Sequence, residues 1–126
     1  MNGTYWSVYA LIFGCLIAFM VMRRSGQISR KKAIDYVKDG AALIDVRPAR
    51  DFNSGHLSQA FNIPLDDLKT LLPERIKDKN RVILLHCRTG LNSKKAKEIL
   101  RDIGYKNVFS LGSYERAFKI VSGRAM

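Results

Sequence analysis

The alternation of apolar and polar positions divides the chain into two unlike stretches. From Trp6 to Met22 (WSVYALIFGCLIAFMVM), 17 residues pass with Ser7 as the only polar side chain. As a helix rising about 1.5 Å per residue, this run is roughly 26 Å long, close to the ~30 Å hydrocarbon thickness of a bilayer. Beyond it the pattern breaks into short segments. In SRKKAIDYVKDG, Ala33, Ile34, Val37 and Ala41 track one helical face, with Ser29 as N-cap and Gly40 as stop. Ala41–Val46 (AALIDV) has the length and composition of a strand, and Arg47–Gly55, with Pro48, Asn53, Ser54 and Gly55, reads as a polar loop. Ala60–Ile63 (AFNI) is a second strand stopped by Pro64, and Leu65, Leu68, Leu71 and Leu72 form a helical stripe before Pro73. Arg81–His86 (RVILLH) is the most continuous strand. In Ser93–Gly104, Ala96, Ile99, Leu100 and Ile103 recur at helical spacing, with Ser93 as cap and Gly104 as stop. Asn107–Leu111 reads as a last strand and Ser113–Val121 as a last helix. Apolar runs alternating with helical stripes predict an α/β class, a parallel sheet covered on both faces. In such sheets chemistry collects at the carboxyl ends of strands, and RVILLH runs directly into Cys87.

Composition bounds this picture. The 126 residues suffice for one domain and an appendage, and 47% hydrophobic residues exclude a disordered polyelectrolyte. Two cysteines, Cys15 and Cys87, exclude a disulfide scaffold. The net charge of +11 is unevenly placed: residues 1–22 carry no charged side chain, and residues 23–32 carry five bases (Arg23, Arg24, Arg30, Lys31, Lys32) and no acid. That asymmetry changes the reading of the apolar run. A cleaved signal peptide would want a basic start and a small-x-small site, which Met1–Tyr5 and the following MRRSGQ do not offer. A buried core helix would have to be covered on every side. The preferred reading is a transmembrane anchor spanning residues 5–22, with Tyr5 and Trp6 at one interface and Arg23 and Arg24 at the other. The positive-inside rule then puts the N-terminus outside and the rest in the cytoplasm, as in a bacterial inner-membrane protein. The expected organisation is residues 1–24 as anchor and basic flank, 25–32 as basic connector and start of the first domain helix, and 33–126 as the globular domain. Ser25, Gly26 and Gln27 serve as spacer, and Cys15 is a packing residue within the span. The basic balance reports the membrane, and no nucleic-acid partner is expected.

The loop Cys87-Arg88-Thr89-Gly90-Leu91-Asn92-Ser93 joins the buried-type strand to a helix. Closed into a bowl, with Gly90 taking a backbone angle other residues avoid, its successive N–H groups converge on one point. The entrance of the following helix adds positive partial charge. A sulfur there is favoured as thiolate, which suits a nucleophile that must become anionic and carry a negative group. The competing reading, a small buried residue at a strand end, does not require a glycine-containing loop after it. His56, His86 and Cys87 do not make a metal-ligand set, and no metal or organic cofactor is implied. On a strand His86 points away from its neighbour Cys87, and His56 satisfies loop backbone groups. Lys94, Lys95 and Lys97 are either a solvated face or an attraction for anionic donors.

From about Ile28 to Gly123 the chain resembles the single-domain rhodaneses, a sulfurtransferase family. The resemblance is carried by Asp45-Val46-Arg47, Phe52-Asn53-Ser54-Gly55-His56-Leu57, Ala60-Phe61-Asn62-Ile63-Pro64, the Cys87–Ser93 loop and Gly104-Tyr105-Lys106-Asn107-Val108. It implies a parallel five-stranded sheet flanked by helices, here preceded by one transmembrane helix. It also implies a ping-pong reaction in which Cys87 takes sulfane sulfur from a small anion such as thiosulfate, becomes a persulfide and passes the sulfur to a thiol or cyanide. Arg88, Thr89, Gly90, Leu91, Asn92 and Ser93 would bind the substrate, with Arg88 as charged helper, and Asp45 and Arg47 would brace the loop. The chain departs from the family pattern at Asn92, where Arg is frequent, at Asp51 for Glu and at Ser58-Gln59 for Pro-Gly. Leu111-Gly112-Ser113-Tyr114 and Phe118 match the family's last motif loosely. Relatives acting on phosphate close a longer loop with Arg at the seventh position, where this chain has Ser93. The alternative is a catalytically weak domain of the same fold, used as a membrane-tethered interaction or sulfur-carrier module.

Overall fold

The computed structural model describes residues 3–24 and 26–123. Ser25 of the spacer, and the side chains of Arg23 and Arg24 assigned to an interface, lie outside the described residues. The elements run α1 (Gly3–Arg24), α2 (Arg30–Lys38), β1 (Ala42–Asp45), α3 (Ala49–Ser54), β2 (Ala60–Asn62), a 3-10 turn (Leu65–Asp67) leading into α4 (Leu68–Arg75), β3 (Ile83–Cys87), α5 (Leu91–Asp102), β4 (Val108–Ser113) and α6 (Tyr114–Ser122). Within α1, Gly3–Met22 is 20 residues long with a mean hydropathy of 2.0 and none of its most apolar stretch is buried, so it is long and apolar enough to cross a membrane.

The sheet is parallel throughout, in the order β2-β1-β3-β4. Strand alternation sorts the apolar residues into two cores. Ile44, Ile83, Leu85 and Cys87 face Leu68, Leu72, Ala96 and Leu100 of α4 and α5. Leu43 and Leu84 face Ala33, Ala117 and Ile120 of α2 and α6. Burial on both sides is why RVILLH and AALIDV read as unbroken apolar runs.

Four differences from the sequence expectation have physical causes. Among the described residues the sheet has four strands, not five. At the edge next to β4, a fifth strand is reduced to one parallel bridge between Gln27 and Ser110. Gly26 at φ +80° turns the chain just before it, and Ser29 caps α2 just after, accepting from the Lys32 N–H at 3.3 Å. The Arg47–Gly55 loop contains α3, which buries no residue and so leaves no apolar stripe to detect. Helix α4 runs through Pro73 to Arg75. Helix α5 begins at Leu91 with Gly90 as its N-cap, so Ser93 lies in the first turn and is free for other bonds.

Candidate active site

β3 is the second-last strand of the sheet and its last residue, Cys87, is only 2% exposed. Gly90, in the left-handed region at φ +100°, turns the backbone so that α5 starts directly above that strand end. Two backbone N–H groups then donate to the Cys87 Sγ, Gly90 at 3.0 Å and Ser93 at 3.3 Å. The Ser93 hydroxyl donates to the Gly90 carbonyl at 2.9 Å and lies 2.8 Å from the Ser110 Oγ. Ser110 Oγ in turn accepts from the Gly112 N–H at 3.1 Å. One assignment satisfies the whole chain: Gly112 donates to Ser110, Ser110 to Ser93, and Ser93 to Gly90.

The remaining loop residues face outward. Thr89 forms an antiparallel bridge to Ser113, and Leu91 and Asn92 are exposed on the first turn of α5. Arg88 is 71% exposed at its side chain, and its Nη2 donates to the Asp51 Oδ2 of α3 at 2.5 Å. Arg88 and Asp51 border a cleft of about 340 Å³ with Arg47, Ser54, Gly55 and Tyr114.

Asp45 and Arg47 form a buried pair on the opposite side of β3's end from the sulfur. Asp45 is fully buried and accepts from Arg47 N at 2.9 Å, from Nε at 2.9 and 3.0 Å, and from Nη2 at 2.7 Å. Arg47 Nη2 also donates to the Gly55 carbonyl at 2.7 Å, and the guanidinium lies 4.6 Å from the Tyr114 ring centroid. Asn62 Nδ2 ties the same turn by donating to the carbonyls of Asp45 and Arg47, both at 2.9 Å. The hydrogen bond to Asp45 raises the Arg47 pKa above its ordinary value against the opposing effect of burial. This pair fastens β1 to the segment before His56 and to α6.

His86 pairs in register with Asp45 and shares that side. Its ring is fully buried 5.8 Å from the Tyr114 ring, and its Nε2 stands 3.8 Å from Asp45 Oδ2, too long for a hydrogen bond. Burial lowers its pKa below the ordinary value, and the Asp45 charge opposes that in part. His56 gives its Nδ1 to the Phe52 carbonyl at 2.9 Å.

The sequence reading missed Ser110 and Gln27. Ser110 looks like any polar residue in an apolar strand. Gln27 looks like spacer, and Gly112, beside which its carboxamide lies, is noted only as part of a loosely matching motif.

A Rhodanese-like domain family matches residues 29–117. Thiosulfate sulfurtransferase PspE of Escherichia coli (strain K12) is 38% identical over 69 residues, covering 55% of this chain and 66% of that protein. The tRNA uridine(34) hydroxylase of Erwinia tasmaniensis is 31% identical over 75 residues, covering 56% of this chain and 21% of that protein. The chain thus spans just under two thirds of the first relative and about a fifth of the second. A solved structure described as a rhodanese with anions from E. coli superposes with a TM-score of 0.59 and 34% identity, over 61% of this chain and 91% of the other.

Proposed function

The chain belongs to the rhodanese-like domain family, and from that premise we propose that it is a membrane-anchored sulfurtransferase working through a persulfide on Cys87. The observation that carries this reading is a nearly sealed sulfur that accepts two backbone hydrogen bonds at a strand-to-helix junction. A packing cysteine has no use for such donors. A hydrogen bond to a charged acceptor is worth about 1.5–3 kcal/mol, so two of them stabilise negative charge that develops on the sulfur during transfer.

The reaction is written in two displacements. The Cys87 thiolate attacks the outer sulfur of thiosulfate, the S–S bond of the donor breaks, and sulfite leaves with its electron pair. An acceptor thiolate then attacks the outer sulfur of the Cys87 persulfide, the Sγ–S bond breaks, and the Cys87 thiolate returns. The PspE name, thiosulfate sulfurtransferase, supports thiosulfate as the donor. Arg88, 71% exposed at its side chain and paired with Asp51, offers the donor a cation at the loop's rim. Residues Gly3–Met22 supply the anchor, and the bases that follow it support a cytoplasmic domain.

The test is mass spectrometry of the full chain in detergent after thiosulfate or polysulfide treatment. Cys87 is expected to gain the mass of one sulfur atom, lose it to a thiol or to cyanide, and gain nothing in Cys87→Ser. A chain that takes up no sulfur from either donor would reject the enzyme reading and leave the interaction module.

A further inference from the structure

The segment between α1 and α2 is fastened to the globular part residue by residue. The Gly26 carbonyl accepts from Lys97 Nζ at 3.2 Å, and Gln27 pairs with Ser110 of β4. Ile28 donates its N–H to the Ser110 carbonyl at 3.0 Å, accepts from Arg116 Nη2 at 2.6 Å, and buries its side chain. Pinned on both sides, Gln27 directs its carboxamide at two glycines. A Cβ on Gly112 would come within 2.6 Å of Gln27 Nε2 and 2.9 Å of its Cδ, and a Cβ on Gly90 within 3.3 Å of Nε2. Gly90 and Gly112 are both in the left-handed region, at φ +100° and +86°. The carboxamide therefore occupies space that only two missing side chains leave open.

Those glycines are the two ends of the hydrogen-bond chain described above. Gly112 donates to Ser110, which meets Ser93, and Gly90 donates to the Cys87 sulfur. A carboxamide filling the space beside Gly90 limits how far that residue can move, and a shift of a few tenths of an ångström lengthens a bond that is already 3.0 Å. We propose that Gln27 is a positioning residue for Cys87, a wedge between Gly90 and Gly112 that holds the loop amide on the sulfur. Gln27 follows the last residue of α1 by three positions, so the wedge belongs to the segment leaving the apolar helix.

The inference rests on Cys87 being the reactive group, and its readout is chosen to be independent of sulfur transfer. In a Cys15→Ser background, so that Cys87 is the single thiol, the full chain in detergent is alkylated with iodoacetamide at neutral and alkaline pH. Gln27→Ala is expected to lower the neutral-to-alkaline rate ratio about 3–10-fold, and kcat for transfer by a similar factor with KM within about two-fold. The charged groups around the loop and connector (Arg88, Asp51, Arg47, His86, Lys97 and Arg116) are the same in both proteins, so they do not produce the difference. Gln27→Met, which keeps length and volume, is expected to stay within about two-fold of the wild type. The wedge is overturned if Gln27→Ala keeps the wild-type ratio, if its loss merely tracks the unfolded fraction, or if Gln27→Met is as impaired as Gln27→Ala. A chain that transfers no sulfur but shows the alkylation difference would reject the sulfurtransferase reading and keep the wedge.

Discussion

Cys87 and His86 are neighbours on one strand, and the two sides of the sheet bury them in opposite ways. The sulfur receives two backbone N–H donors from a loop folded over it. Among the described residues neither ring nitrogen of the imidazole has a hydrogen-bond partner, and burial lowers its pKa against the opposing Asp45 charge. Beside it the strong donors are spent on Asp45, which draws the Arg47 guanidinium and its backbone N–H. The difference shows where charge is provided for. On one side the fold aims two backbone donors at a single sulfur. On the other it locks a permanent ion pair that fixes the end of β1.

The contrast breaks most severely at Asp45. Asp45→Ala leaves the Arg47 side chain, only 10% exposed, without its carboxylate, and a cost of about 3–5 kcal/mol is expected in urea unfolding of the full chain. A loss below about 1 kcal/mol would mean the pair is not what secures this edge.

A smaller effect sharpens the sulfur side. Gly90→Ala forces an L-residue to φ +100° and puts its Cβ 3.3 Å from Gln27 Nε2 and 3.4 Å from Gly112 Cα. The backbone alone costs ~1–2 kcal/mol, and Cys87 alkylation at neutral pH is expected to fall about ten-fold as its amide donor moves. Unchanged alkylation in a destabilised Gly90→Ala would detach the loop's shape from the sulfur's reactivity.

The smallest effect belongs to His86. Below about pH 6.5 the unfolded chain takes up a proton that the buried ring resists, so stability falls as pH falls. The loss between about pH 6.5 and 5.5 is up to ~1 kcal/mol for this one group. His86→Leu is expected to flatten that part of the profile. Equal slopes in the two proteins would show that His86 does not set the acid response.

Legibility in the sequence followed burial. β1 and β3 could be read because both their faces are covered, and the Cys87–Ser93 loop because a strand ends in a cysteine followed by a glycine and a helical stripe. α3 was hidden because it buries nothing. Ser93 reads as a cap because it precedes the apolar stripe. Gly90, entering the helix from the left-handed region, moved the start to Leu91 and freed the Ser93 hydroxyl for the Gly90 carbonyl. The Arg88 partner Asp51 lies 37 positions away, and Gln27 meets glycines far along the chain. Such contacts leave no periodic trace, because they depend on how α3 comes to lie beside the Cys87–Ser93 loop and how β4 and α5 come to lie beside the connector.

The near-complete enclosure of Cys87 has its own chemical consequence. Cys87 has 2% of its residue surface open to solvent, and its sulfur already accepts from two amides, so the resting thiol offers an oxidant little access. A bulky disulfide cannot bring its own sulfur alongside. Slender reagents with the reactive atom at one end are expected to react fastest with so enclosed a sulfur. The enclosure predicts that the resting thiol resists overoxidation by peroxide while narrow reagents still react, an outcome that mass spectrometry of the treated chain checks.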